Sequence, residues 1–437
     1  MKKRMIIFSG LLLLGSVWMK ADENEAAKDK ENTFSMSAQI RPRAEYRNGA
    51  SNPRYEGEDA TGFISNRARL SMNYERDRLS LGLSAQHVGV WGQDPQIDKN
   101  GRFILNEAWA QLDFGHGIFA KLGRQSLIYD DERILGGLDW NVAGRYHDAL
   151  KLGYENSQNK LHLILAFNQN NDSRNAGGTY YNPGAQPYKN MQTLWYKHVC
   201  SKAFNASFMF MNLGLEAGDP ETQKSDTKYM QLLGTNLYYA PGDWTFGGTF
   251  YYEFGKNMAN RDVSAFLWAL NAAYKINSQW SIALGSDYLS GASNTDGPDA
   301  DYKAFDPLYG THHKFYGAMD YYYATPFKTG FNPGLWDNQV KLAYNASSKV
   351  NLSLAYHYFS ITSDLTVDKK DLDRGLGSEI DLQVDWQIMK DVKLSAGYST
   401  MFGTSTMEAV KGGSKDSWQD WGWLSLNINP RIFMAKW

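Results

Sequence analysis

From Phe34 to Arg47 the chain alternates with a period of two. Phe34, Met36, Ala38, Ile40, Ala44 and Tyr46 fall on one parity, and Ser35, Ser37, Gln39, Arg41, Arg43, Glu45 and Arg47 on the other. Successive side chains of a strand point to opposite faces, so this stretch predicts a strand with one uncharged and one polar face. It exceeds the usual length of a strand in a soluble sandwich. It matches a tilted strand crossing a bilayer, which needs about 9–11 residues in the hydrocarbon.

The pattern recurs to the end of the chain. Ile380, Leu382, Val384, Trp386 and Ile388 oppose Glu379, Asp381, Gln383, Asp385 and Gln387, and Val350, Leu352, Leu354, Tyr356 and Tyr358 oppose Asn351, Ser353, Ala355 and His357. Aromatics gather at strand ends, as an interfacial girdle requires. Short connections, such as Arg76-Asp77, Gly115-His116 and Lys390-Asp391, alternate with long ones, such as 129–142, 170–190, 292–336 and 405–417. Short periplasmic turns and long outer loops are the habit of bacterial barrels. The alternation predicts an all-β fold, a transmembrane antiparallel barrel of eighteen strands. The strand-like segment Thr311 to Ala324 breaks it if counted as spanning, so it is assigned to the long 292–336 loop. Trp418 to Trp437 is the closing strand, interrupted by Pro430 and ending on an aromatic.

The two ends and the charge fit export. Lys2, Lys3 and Arg4 precede an apolar stretch from Met5 to Val17, so residues 1–21 predict a cleaved signal peptide and 22–33 a charged periplasmic tail, with 34–437 a single barrel. Past that point no apolar run approaches the ~18 residues of a spanning helix. Cys200 is the only cysteine, so no intramolecular disulfide forms. Removing residues 1–21 takes away Lys2, Lys3, Arg4 and Lys20, leaving 41 basic against 47 acidic residues and a net charge of −6. A globally basic nucleic-acid binder is excluded, and any affinity for anions rests on where charges are placed.

On the lumen parity, basic residues cluster early: Arg41, Arg43 and Arg47 on the first strand, Arg67 and Arg69 on the second, Lys151 on the sixth. Arginine pairs with carboxylates through two parallel hydrogen bonds and stays charged. Such residues either set a selectivity field or pair with Glu45, Glu75 and Glu107 and stiffen the wall. Acids cluster mostly late: Glu107 and Asp113 on the fourth strand, Asp287 on the thirteenth, and Glu379, Asp381 and Asp385 on the seventeenth. A basic arc flanking an acidic one orients dipolar solutes. Trp109 and Trp195 face the lumen by parity, and Tyr180, Tyr181, Tyr188, Tyr309 and Tyr316 lie in loops, where aromatics either stack on sugars or pack. His312-His313 with Asp306 and Asp320 is a weak metal candidate, because neighbours in extended chain point apart. Asp130-Asp131-Glu132 and the acids of 296–301 read as solvated loop charge before calcium ligands. No nucleophile elbow, P-loop or H-E-x-x-H motif occurs. No catalytic residue, metal or cofactor is assigned.

Two segments resemble the alginate export family of outer-membrane porins: Gly123 to Leu152 (GRQSLIYDDERILGGLDWNVAGRYHDALKL), and Tyr288 to Tyr322, through YLSG and FDPLYGTHHKFYGAMDYY. The resemblance implies an eighteen-strand barrel passing an acidic polysaccharide or its fragments. It also implies basic residues at the constriction, at Arg124, Arg133, Arg145 and Lys151. The expectation is a passive, monomeric channel in the bacterial outer membrane. Its partners are an acidic saccharide and membrane lipid. A general or small-carboxylate porin, and an enzyme or adhesin built on a barrel, are the alternatives.

Overall fold

The computed structural model describes residues 31–437 except 98–102, 171–178, 183, 185, 298 and 329–330. The signal segment and most of the expected tail lie outside the described residues. The tail ends earlier than expected, since Asn32 and Trp437 already exchange backbone hydrogen bonds.

Eighteen antiparallel strands close into one barrel. In chain order they are β1 (Thr33–Asn48), β2 (Thr61–Arg76), β3 (Leu79–Val90), β4 (Phe103–Gly115), β5 (Ile118–Gln125), β6 (His147–Glu155), β7 (Asn159–Phe167), β8 (Asn190–Val199) and β9 (Phe204–Glu216). They continue as β10 (Thr227–Tyr239), β11 (Trp244–Lys256), β12 (Asp262–Lys275), β13 (Trp280–Leu289), β14 (Leu335–Asn345), β15 (Val350–Ser360), β16 (Gly375–Met389) and β17 (Val392–Gly403). The last, β18, runs in two pieces, Gln419–Ile428 and Arg431–Lys436. Pro430 makes the break, because it brings no N–H to the ladder. β1 pairs with β2 on one side and with both pieces of β18 on the other, which closes the barrel. Closure leaves no strand edge unpaired, the condition for crossing hydrocarbon with strands.

One parity forms the lipid band. Ile40, Leu122, Leu233, Leu284, Leu354, Leu382 and Leu424 are exposed on the outer wall. The other parity faces inward. Two long connections, residues 126–146 after β5 and 290–334 after β13, fold into the lumen instead of standing outside it. Within the second, residues 312–314 form one 3₁₀ turn and no spanning strand, as the turn alternation required. The expected 405–417 loop contains a helix, α1 (Ser405–Lys411), capped by the Thr404 side chain, which accepts from Met407 N.

The inserted loops make a core inside the barrel. Leu127, Tyr129, Ile134, Leu135, Tyr309 and Tyr316 from the loops pack against Ile164, Met191, Met209, Met211, Leu232, Tyr251 and Leu267 on the lumen face of β7–β12. Lumen faces are ordinarily polar because water fills them. Here the wall is apolar where a loop covers it, and each buried side chain of this size contributes about 1.5–3 kcal/mol. A parallel bridge between Leu135 and Tyr309 ties the two loops together.

Candidate functional site

The arginines of β1 and β2 share the lumen face. The register sets Arg41 opposite Arg67 and Gln39 opposite Arg69. Like charges placed opposite each other repel, and a carboxylate answers the repulsion. Asp139, from the 126–146 loop, receives Arg41 Nη1 at 3.0 Å and Arg67 Nη1 at 2.6 Å on its two oxygens. Burial opposes ionisation of Asp139, but the hydrogen bond from Arg67 and the charges of Arg41, Arg67 and Arg69 hold its carboxyl below the usual carboxylate range.

The backbone beside Asp139 is strapped to the same wall. Arg67 Nε donates to Val142 O and its Nη2 to Asn141 O, both at 2.6 Å. Arg43 Nη1 donates to Trp140 O at 2.8 Å, and Gln86 Nε2 to Ala143 O at 2.7 Å. Arg43 and Arg47 also pair with Glu45, through Nε at 2.8 Å and Nη2 at 2.8 Å. Arg69 donates to Gln86 Oε1. The arginines therefore do not stand free in water, and Arg67 is wholly buried under the strap. Of the three acids expected to pair with them, Glu45 does. Glu107 accepts from Ser126 N, and Glu75 lies opposite Thr33 at the periplasmic end.

The remaining basic positions separate. Arg124 is a correction: its register partners are Ala108 and Asp148, on the parity of the exposed Leu122, Leu112 and Leu152, so it faces outward and pairs there with Asp148 at 2.9 Å. Gly123, at φ +118°, sits where a Cβ would meet Ala108 O. Arg133 is also not in the passage. It is buried between Asp131 and Asp287, both at 2.9 Å, with its guanidinium over Phe315. Burial opposes its charge, yet these carboxylates raise its pKa. Arg145 donates to Gly310 O at 2.8 Å, and burial lowers its pKa. Lys151 does face the lumen, opposite Lys121. Parity alone would have found Lys121, whose ammonium sits 3.5 Å over the Trp109 ring.

The acids form an array on β13–β16. Asp287 lies opposite Asp337, and Glu379 opposite His357. His357 Nδ1 is 2.9 Å from Asp337, and its Nε2 is 3.6 Å from Asp381. Glu379 Oε1 accepts from Met319 N of the 290–334 loop at 2.8 Å. Asp385 binds Lys393 and Ser395, and Asp113 caps its turn by accepting from Gly115 N. The sequence reading placed His357 on a polar face without a role and missed Asp139 and Asp337. His357 and Asp337 share the lumen parity and were legible; Asp139 was not, because nothing local says that a loop enters a barrel.

Between the strap and the acid array lies a cavity of about 440 Å³, edged by Asp139, Trp140, Lys314, Lys341, Asp381 and Trp423. Trp140 stacks on His313 at 4.1 Å between ring centroids, and the Arg43 guanidinium lies 4.0 Å from the same ring. The other aromatics pack. Trp195 is buried and donates to Asp130, and Tyr180, Tyr181, Tyr188, Tyr309 and Tyr316 are all buried. His312 bonds Tyr323 O while His313 bonds Asp320. Among the described residues no group of three His, Cys, Asp or Glu side chains is placed to hold a metal ion. Asp131 pairs with Arg133 and Glu132 with Lys314.

The model of the alginate export family matches residues 34–416. Among solved structures, OpdQ of Pseudomonas aeruginosa aligns at 12% identity with a TM-score of 0.60, covering 92% of this chain and 98% of that one. OpdK of Pseudomonas aeruginosa, solved with vanillate, aligns at 11% identity and a TM-score of 0.59, covering 92% and 99%. A BenF-like porin from Pseudomonas fluorescens Pf-5 aligns at 13% and 0.60, covering 91% and 99%. At these identities the likeness is one of fold. A search of the curated proteins finds no match.

Proposed function

We propose, for a chain that belongs to the alginate export family, that its outer-membrane barrel passes acidic saccharides, uronate oligomers in particular, by passive diffusion along the arginine wall. The channel and its place in the outer membrane follow from the family and the closed barrel. The choice of solute rests on one observation, the seat of Asp139. A carboxylate there is held between two guanidiniums, at 3.0 and 2.6 Å. A uronate carboxylate carries the same charge and geometry and exchanges for Asp139 in that seat, with the strap moving aside. Charge-assisted bonds of this kind are strong enough to select and weak enough to release. Lys121 and Lys151 continue the basic track on the neighbouring wall, and residues 1–21 are read as the segment removed at export.

The second reading is a porin for small carboxylates, and the 440 Å³ cavity favours it, since that space suits one or two sugar-sized units better than a polymer. Planar-bilayer recording separates the two. Uronate oligomers should block the current, and the block should fade in Arg41→Ala and Arg67→Ala. Equal passage of neutral and acidic sugars would sink the saccharide reading. Passage of monomers with exclusion of oligomers would select the small-carboxylate one. The lipid band is continuous around the closed sheet, so a single barrel suffices, and the reading takes the channel as a monomer.

A further inference from the structure

A second cavity, of about 660 Å³, lies away from the arginine wall at the outer end of β11 and β12. Its floor is Glu253, which is 1% exposed. Glu253 Oε2 accepts from Asp306 N at 3.0 Å, but Oε1 is buried with no hydrogen-bond partner among the described residues. A buried carboxyl oxygen left unbonded costs free energy, and a donor arriving from the cavity removes that cost. Arg145 also lines the cavity. Its guanidinium donates to a backbone carbonyl, Gly310 O, and makes no ion pair among the described residues. The rest of the lining joins an apolar surface of Val263, Met230 and Leu308 to the polar Asn257, Asn332 and Asp306, the last already accepting from Leu308 N through Oδ1.

The site thus offers an uncompensated cation, an orphan acceptor and an apolar surface. We propose that this cavity binds a small hydroxylated carboxylate at the outer mouth, with its carboxylate on Arg145, a hydroxyl donating to Glu253 Oε1, and its carbon skeleton against Val263, Met230 and Leu308. A sugar acid and an aromatic hydroxy acid both carry that chemistry. The role as an antechamber rests on the channel reading; the binding does not. The site concentrates solute at the entrance, and the arginine seat selects what passes.

Isothermal titration of the detergent-purified full chain tests the site without any conduction. The probes are galacturonate, 4-hydroxybenzoate, benzoate and glucose. At least one of the first two should bind, and which one does identifies the source. Benzoate, which lacks the hydroxyl, and glucose, which lacks the carboxylate, should each bind at least about tenfold more weakly, the factor expected when a buried charged group loses its partner. Arg145→Gln should weaken binding by about tenfold or more. Glu253→Gln should narrow the gap between 4-hydroxybenzoate and benzoate. Met258→Trp, at the exposed rim, should block entry while leaving the buried floor as it is, which covers the case in which a floor variant misfolds. No binding of either hydroxylated acid, or binding that survives both Arg145→Gln and Met258→Trp, overturns the proposal. Titration retained in Arg41→Ala while current block is lost separates this site from the arginine seat. Binding at the mouth without any block in the native channel would count against the channel reading alone.

Discussion

The two halves of the lumen hold their loops by different physics. On β1–β3 the strap 139–143 is held by directional, charge-assisted bonds from Arg41, Arg43, Arg67 and Gln86. On β7–β12 the same loop, together with 290–334, is held by apolar burial around Leu135, Met211, Tyr309 and Leu267. Apolar contact has no soluble competitor, whereas a carboxylate in solution competes directly for a guanidinium. The Asp139 side chain is 73% exposed, while the guanidiniums behind it are covered, Arg41 largely and Arg67 wholly, so an entering anion meets the seat at Arg41 and reaches Arg67 only once the strap lifts. On the proposed reading, the apolar half is a fixed plug and the arginine half an exchangeable strap, with the passage on the arginine side.

Breaking the fixed half should have the largest effect. Leu135 is wholly buried and bridges to Tyr309. Leu135→Asp places a charge in that contact, at a cost of about 5 kcal/mol or more, which the loops avoid by leaving the wall. The expected result is a large rise in single-channel conductance with the barrel's thermal unfolding unchanged, since the strands keep all their ladder bonds. An unchanged conductance would mean that the loops are held elsewhere.

Arg67→Ala tests the other half. It removes the donor to Val142 O, Asn141 O and Asp139 together, a loss of about 3 kcal/mol. The strap should loosen while the plug stays seated, giving frequent partial openings rather than one wide state. Limited proteolysis within 139–143, absent in the native protein, would report the same release.

Asp139→Asn should act more gently. The amide keeps the shape but loses the charge, so uronate block should tighten by about tenfold, the equivalent of ~1.4 kcal/mol. The acid response follows in sign. The Asp139 pKa is depressed in the folded protein, so the clamp is complete above the ordinary aspartate value of about 3.9 and is lost as pH falls through the lower folded value. Native conductance should be flat near neutrality and rise only in strong acid, and Asp139→Asn should remove that rise. A native rise near pH 6 would point to another group.

The contrast between halves also marks what the sequence could say. Period two reports which face a residue occupies, so the eighteen strands, the lipid band and the inward arginines of β1 and β2 were all legible. Parity says nothing of what covers a face. Met191, Met209, Met211 and Leu213 lie on the lumen parity, and their apolar character was itself the signal that something packs there. Arg124 was misplaced because its role came from the family resemblance rather than from its own parity with Leu122. Asp139 and Trp140 were beyond reach, since the arginines that hold Asp139 lie 98 and 72 residues away and the rings on Trp140 lie farther still, and only the inserted loop brings them together.

Trp140 joins the two halves and gives the smallest expected effect. Its ring contacts both the Arg43 guanidinium and the His313 imidazole, with Trp423 edge-on at 4.9 Å. Arg43 belongs to the wall and His313 to the 290–334 loop, so the ring couples strap to plug. Trp140→Leu keeps the Trp140 carbonyl that Arg43 bonds and removes only the ring contacts, worth about 1 kcal/mol. Mean conductance should hardly change. Strap openings should become more frequent by about fivefold, the factor that 1 kcal/mol represents. Combined with Arg67→Ala, the effects should fall short of additive, because a strap already released gains nothing from losing its ring. Full additivity would show that strap and plug move independently.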